Sequence, residues 1–376
     1  MKTSSLFLAL ACMIMVLQTG CNKKELSNES NPLSDPDLKG KPVTYPLAGT
    51  PTQLDVYGVW HAGNDYCTWG TVRSITEFDS QNHWIIDRGD GVPSVNLVVL
   101  SFVNPLELLQ ATDPMDGIPV GMTQEIVNYF KDEGIRVMLS IGGWTYIDDW
   151  NAALAADPVQ LAENAVTVAE TLGVGIEIDY EENTNPNIAA LGQFINTYRS
   201  AHPYDATGTD HAARLTIDLA AGDRWLIELC QYASANWLTT DNPVLDYANA
   251  MVPARQPSAS KAKEDWYEHV YGKPQYSPPI PSIAPCKFTG GLYLVGRSQI
   301  NECINFSRSL QYETRDFVTR IMPYQAGSTA GMLGYMFWAA ECPSTTNVCA
   351  TNCTGGVGEG STYFDIPVPM PSLRQQ

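Results

Sequence analysis

Eight short runs rich in β-branched and other apolar residues recur along this chain, at 54–60, 95–102, 135–141, 174–180, 214–219, 245–251, 291–295 and 332–338, with starts roughly forty residues apart. Between them lie stretches of helical spacing. Among these are 123–132 and 159–172, the second carrying Leu161, Ala165, Val168 and Leu172 on one face. Most of the runs are apolar almost throughout, which suits parallel strands covered by helices; half-exposed antiparallel strands would alternate. Eight such units over roughly 290 residues predict an α/β fold of the (β/α)8 TIM-barrel type, for which ~250 residues is typical. A doubly wound open sheet is the competing arrangement, but the sequence holds no glycine-rich phosphate loop with a ribose-binding acid behind it.

In a barrel of this kind the chemistry belongs at the C-terminal ends of the strands. The fourth run reads Val174-Gly175-Ile176-Glu177-Ile178-Asp179-Tyr180-Glu181. Side chains alternate across a strand, so Gly175, Glu177, Asp179 and Glu181 share one face and Ile176, Ile178 and Tyr180 the other. The apolar face meets the helices. Three acids then point into the barrel, successive members about 6–7 Å apart. Burying like charges together is costly, and the usual result is that at least one carboxyl keeps its proton near neutral pH. Such a carboxyl at a strand end is a general acid. A solvated strand end, or acids matched by arginines inside the barrel, accounts for one carboxylate more readily than for three in strict alternation. Glu182 and Asn183 belong to the loop that follows.

Aromatic residues crowd the other strand ends. Trp60, His61, Asp65, Tyr66 and Trp69 close the first strand, Trp144, Tyr146 and Trp150 the third, Asp223 and Trp225 the fifth, and Trp338 and Glu341 the eighth. Packing is the ordinary role of any one tryptophan, whereas aromatic faces gathered with acids at one rim are what a sugar-binding groove requires. Trp338 reads as groove, while Trp60, Trp144 and Trp225 fit groove and packing alike. Trp266, Tyr267, Tyr271 and Tyr276 lie between the sixth and seventh strands, either as a groove wall or packed under a proline-rich loop.

The fourth-strand run resembles the D-G-x-D-x-D-x-E strand of glycoside hydrolase family 18, the chitinases and endo-β-N-acetylglucosaminidases. Ser140-Ile141-Gly142-Gly143-Trp144 is similar to that family's S-x-G-G signature on the third strand, and Met336-Phe337-Trp338 to its eighth-strand end, where a tryptophan floors a sugar subsite. The resemblance spans roughly Leu54 to Glu341. It implies a glycosidase of β-1,4 linkages next to N-acetylglucosamine, in chitin oligomers or the chitobiose core of N-glycans. It implies Glu181 as the acid/base, Asp179 as the acid that orients the substrate's acetamido group, and Glu177 as the inner carboxylate. The reaction would be retaining, with the acetamido oxygen as nucleophile in place of a second enzyme carboxylate. Substrate contacts are expected at Trp338, Trp144, Trp60, Tyr180, Met251 and Gln256, with no cofactor and no metal.

The match has departures. Val174 stands where the family has its first Asp, and Glu177 replaces an Asp, which alters how the carboxyls share a proton. The sixth strand ends Asn249-Ala250-Met251-Val252-Pro253-Ala254, so the Tyr and Asp of the family's M-x-Y-D fall at Pro253 and Ala254. A surface glycan-binding, lectin-like protein that has lost the chemistry is therefore the alternative, and a lipid-anchored scaffold for proteins a weaker one. The seventh and eighth strands are too close together for the insertion domain of processive chitinases, so a single-domain barrel with a shallow, open cleft is expected.

The N-terminus is an address. Lys2 precedes an uncharged apolar core at 6–17, too short to span a membrane, and Gln18-Thr19-Gly20-Cys21 resembles a bacterial lipobox with Cys21 as the lipidated residue. An ordinary cleaved signal is the alternative. The expected organisation is a signal over 1–21, a flexible Ser/Asn/Pro tether over 22–51, the barrel over 52–345 and a Cys/Gly/Pro tail over 346–376. Export follows, with a lipid anchor in the cell envelope; Asn22 points to the outer membrane, facing periplasm or cell surface. Twenty-two Lys and Arg against 41 Asp and Glu give a formal charge of −19, which excludes nucleic acid and any membrane contact beyond the anchor. A monomer is expected. An oxidising compartment favours disulfides among Cys67, Cys230, Cys286, Cys303, Cys342, Cys349 and Cys353, with at least one thiol left over.

Overall fold

In the computed structural model eight parallel strands pair in sequence order and close on themselves: β1 (Val56–Ala62), β2 (Leu97–Val103), β3 (Arg136–Gly142), β4 (Gly175–Asp179), β5 (Leu215–Ala220), β6 (Ala248–Met251), β7 (Phe288–Tyr293) and β8 (Gly334–Trp338), with β8 returning to β1. The structure describes residues 56–62, 72, 74–87, 93, 95–206, 208–220, 225–251, 266, 268–269, 271–284, 287–293 and 333–338. The fold is thus the (β/α)8 barrel that the strand spacing predicts. The signal, the tether, Cys21, the C-terminal tail, the segment between β7 and β8 and all the cysteines but Cys230 lie outside the described residues. Cys230 is a buried free thiol.

Between the strands run α1 (Ile75–Ile86), α2 (Pro105–Leu109), α3 (Gln124–Lys131), α4 (Ile147–Ala156), α5 (Pro158–Leu172), α6 (Ile188–Ala201) and α7 (Ile227–Asn236). Their ends are set locally. α5 starts where the Asp157 carboxylate accepts the backbone N–H groups of Val159 and Gln160 ahead of Pro158, and stops at Gly173 in the left-handed conformation. Ser74, Asn104, Thr123 and Asn187 cap α1, α2, α3 and α6 in the same way.

Strand alternation divides the core in two. Residues such as Val98, Leu100, Ile141, Ile176, Ile178, Ile217 and Leu219 face the helices and join Leu161, Ala165, Leu172, Leu191 and Phe194 in the larger cluster. Val56, Trp60, Leu97, Val99, Met138, Tyr247 and Met336 fill the inside of the barrel. At the N-terminal ends of the strands Arg199 and Arg214 both pair with buried Asp246, whose carboxylate also accepts the N–H of Leu215. That cluster fastens α6 and β5 to the start of β6, so the floor is rigid while the opposite rim is free to carry polar groups.

Two strand starts lie furthest from expectation. β7 begins at Phe288 instead of 291, because Thr289 and the glycines 290–291 dilute the apolar run on which the sequence reading relied. β6 proper begins at Ala248, though backbone bonds from Asp246 to Leu215 and from Ile217 to Tyr247 already join the chain to β5 ahead of it.

Candidate active site

The three acids of β4 and its extension are all buried: Glu177 is 0%, Asp179 2% and Glu181 6% exposed. Alternation brings Glu177 level with Ser140 of β3 and Thr216 of β5. Asp179 stands level with Gly142, and one more step along the β4–β5 pairing sets it beside Asp218. Glu177 is held from several sides. Its carboxylate accepts the Trp60 indole N–H at 2.8 Å and the Asn249 amide at 2.5 Å, and it is hydrogen-bonded to Asp218. Asn249 is itself oriented by the Thr289 hydroxyl, which donates to its Oδ1 at 2.5 Å.

The end of β3 shapes the mouth of the site. Gly142 has a φ of +116° and lies against the main-chain carbonyl of Asp179, while Gly143, at φ +88°, donates its N–H to that same carbonyl at 2.9 Å. The Trp150 indole N–H reaches the carbonyls of Ile141 (3.2 Å) and Asp179 (3.1 Å) from behind. The turn that the two glycines permit carries the chain into a 3-10 turn, Trp144–Tyr146, whose first N–H meets the Glu181 carboxyl. The S-x-G-G sequence thereby fixes both the backbone of Asp179 and the carboxyl of Glu181.

Burial dominates the electrostatics. It raises Glu181 from its ordinary 4.5 to about 8, with the Trp144 N–H as a partial counterweight. Asp179 is held well above the usual carboxylate range by burial and then by the charges of Glu181 and Glu177. Burial, with Glu177 and Asp179 beside it, does the same to Asp218. Glu177 is also raised by burial, but its bonds to Trp60, Asp218 and Asn249 pull it back. Among the described residues Asp179 Oδ1 has no hydrogen-bond partner. At neutral pH the site therefore offers a neutral acid at its mouth and, one step inward, a carboxyl oxygen without a donor.

The other residues singled out in the sequence divide. Trp144 stands at the rim with 67% of its surface exposed, its ring 5.8 Å from that of Trp225, while an Asn183–Leu226 bond ties the β4 and β5 loops together. Trp60 is 3% exposed and sits inside the barrel as a donor to Glu177, not as an open platform. Tyr180 needs correction as a substrate contact: its ring packs on Trp150, its hydroxyl donates to Asn151 at 2.6 Å and it is wholly buried among helices, as its even position in the alternation dictates. His61 likewise turns outward, to Asn82 of α1. Met251 is half-buried at the end of β6, and β8 reaches Trp338, whose side chain, like Gln256, lies outside the described residues.

Asp218 is the residue that the sequence reading passed over. Its run, Leu215-Thr216-Ile217-Asp218-Leu219-Ala220, counts as apolar by content, yet alternation puts Thr216, Asp218 and Ala220 on the inner face beside the acids of β4. Among the described residues no group of three or more His, Cys, Asp or Glu side chains is arranged to hold a metal ion.

No protein-family model matches the sequence, and no curated protein does. Among solved structures the chain is similar to a glycoside hydrolase family 18 chitinase from Pseudoalteromonas aurantia, at 14% identity covering 75% of this chain and 93% of that one with a TM-score of 0.45. A family 18 N-acetylglucosaminidase from Paenibacillus barengoltzii matches at 10% identity, covering 81% and 99%, with a TM-score of 0.49. A family 18 chitinase from Cycas revoluta, in complex with (GlcNAc)3, matches at 14% identity, covering 82% and 99%, with a TM-score of 0.46.

Proposed function

We propose that this protein is a retaining glycoside hydrolase that cleaves β-1,4 linkages next to N-acetylglucosamine by substrate-assisted catalysis. The observation that carries the reading is the pairing of Glu181, buried and raised to about 8, with Asp179, whose Oδ1 has no partner among the described residues. Glu181 enters the reaction protonated and gives its proton to the glycosidic oxygen as the bond from that oxygen to C1 breaks. The 2-acetamido carbonyl oxygen of the same sugar forms the new bond to C1, yielding a cyclic oxazolinium ion. Its positive N–H faces Asp179, whose unpartnered Oδ1 accepts the hydrogen bond. Water then attacks C1, giving a proton back to the Glu181 carboxylate, and the ring opens with the original configuration restored.

Substrate would lie along the open rim, with the exposed Trp144 face stacking a sugar ring and Trp225 beside it. Met251, Gln256 and Trp338 are further candidate contacts by position. Chitin oligomers and the chitobiose core of N-glycans both carry the required acetamido group. The chain is proposed to act as a monomer outside the cytoplasm, held to the cell envelope through Cys21. Proton NMR of the first-formed product tests the mechanism: a β-anomer, together with tight binding of an oxazoline-type inhibitor, is expected, and an initial α-anomer would exclude it.

A lectin-like role is the second reading, favoured by Pro253 and Ala254 at the positions of the Tyr and Asp in the M-x-Y-D run of the family that the sequence resembles. It requires glycan binding with no product over prolonged incubation.

A further inference from the structure

The inner end of the site holds more acid than the proposed reaction uses. Asp218 projects from β5 with 1% of its surface exposed, is hydrogen-bonded to Glu177 and lies next in line to Asp179 across the β4–β5 pairing. Two carboxyls joined by a hydrogen bond need one proton between them. Glu177 accepts from both Trp60 and Asn249, two donors that favour its ionised form, whereas on Asp218 only the Asn249 bond does so and Oδ1 has no donor among the described residues. The proton therefore belongs on Asp218, with Glu177 as the acceptor.

The remaining groups turned toward this pair do not compete for it. Asn249 and Thr289 are neutral, Ser140 and Thr216 are hydroxyls level with Glu177, and Tyr247 is held up to about 12 by burial. The charges acting on Asp218 are the acids Glu177 and Asp179, while Arg136 and Arg214 act on Tyr247, toward the floor of the barrel.

We propose that Asp218 is a positioning residue: as a neutral acid it donates its carboxyl proton to Glu177, which frees Asp179 from sharing a proton with Glu177 and leaves it to face the substrate. The inner carboxylate is thus satisfied by β5, β6 and β1, and the middle one is kept for the acetamido group. The catalytic consequence rests on the hydrolase reading, whereas the place of the proton does not.

The two parts are tested separately on the full chain. Infrared difference spectra of wild type minus Asp218→Asn at neutral pH are expected to show one protonated-carboxyl stretching band lost in the variant; unchanged bands would overturn the proposal whether or not the protein hydrolyses anything. For turnover, Asp218→Asn keeps a donor for Glu177 and is expected to hold kcat within about threefold of wild type. Asp218→Ala removes the donor, so Glu177 and Asp179 must share a proton; kcat should fall at least tenfold with KM little changed, and the acidic limb of the pH profile should move to higher pH. Thermal melts of both variants report folding independently. A uniform loss of rate in Asp218→Ala with no movement of the acidic limb would mark a merely structural role and contradict the proposal.

Discussion

The main-chain carbonyl oxygen of Asp179 lies 2.0 Å from the point that a β-carbon on Gly142 would occupy, and the Trp150 indole nitrogen lies 2.1 Å from the same point. Neither group can withdraw cheaply, since one is backbone and the other is hydrogen-bonded to that backbone. Gly142→Ala is expected to cost about 3 kcal/mol or more in urea unfolding, and to displace Asp179 enough to remove activity from whatever fraction folds. Wild-type stability in that variant would mean that the contact is not made.

The pH dependence follows from Glu181. With its carboxyl raised from 4.5 to about 8, the proposed general acid is protonated at neutral pH and lost as pH rises through about 8, so kcat should decline along an alkaline limb centred there. Stability has a definite sign as well. The folded state holds this proton where the unfolded state releases it, so the folded protein loses stability as pH rises from about 4.5 to about 8. Glu181→Gln lacks that penalty. Thermal melts should show the variant increasingly more stable than wild type across this interval, by a few kcal/mol at the upper end, with little difference near its lower end.

Trp60→Phe keeps a ring inside the barrel but removes the N–H that Glu177 accepts at 2.8 Å. A buried carboxylate deprived of a donor costs about 1–3 kcal/mol, measurable by chemical denaturation. The same loss raises the proton affinity of Glu177 and draws it toward Asp179, so kcat should fall more than KM rises. A larger effect on KM would instead place Trp60 in contact with the sugar.

Trp144 is the opposite case. Because two-thirds of its surface is exposed, Trp144→Ala should leave stability within about 0.5 kcal/mol of wild type. Loss of the stacking face should weaken glycan affinity by about tenfold, read by isothermal titration with an inactive Glu181→Gln background. Unchanged affinity would remove Trp144 from the groove.

The barrel and its central strand were legible because their signals are local. Continuous apolar runs mark strands covered on the outside, and alternation alone assigns Glu177, Asp179 and Glu181 to the inner face. The same rule, carried one strand further, would have found Asp218, and it places Tyr180 among the helices. Asp218 was missed because apolar content describes a run as a whole, whereas the face of a strand is decided residue by residue; alternation already set Tyr180 on the helix face, and only the resemblance made it a substrate contact. The partners of Glu177 were hidden for another reason. Trp60 and Asn249 stand 117 and 72 residues away in sequence, and only closure of the barrel brings them to one carboxylate.

Glu181→Gln tests the central assignment most directly. Wild type and variant are incubated with chitotetraose and with a high-mannose glycopeptide, the products are identified by mass spectrometry, and binding of each ligand is measured alongside. Wild type should release fragments ending in N-acetylglucosamine from at least one of the two, whereas the variant should bind that ligand comparably and turn it over at least a hundredfold more slowly, the scale of a lost general acid. Hydrolysis at the wild-type rate by Glu181→Gln would contradict the assignment of Glu181, and binding without any product by wild type would leave the lectin.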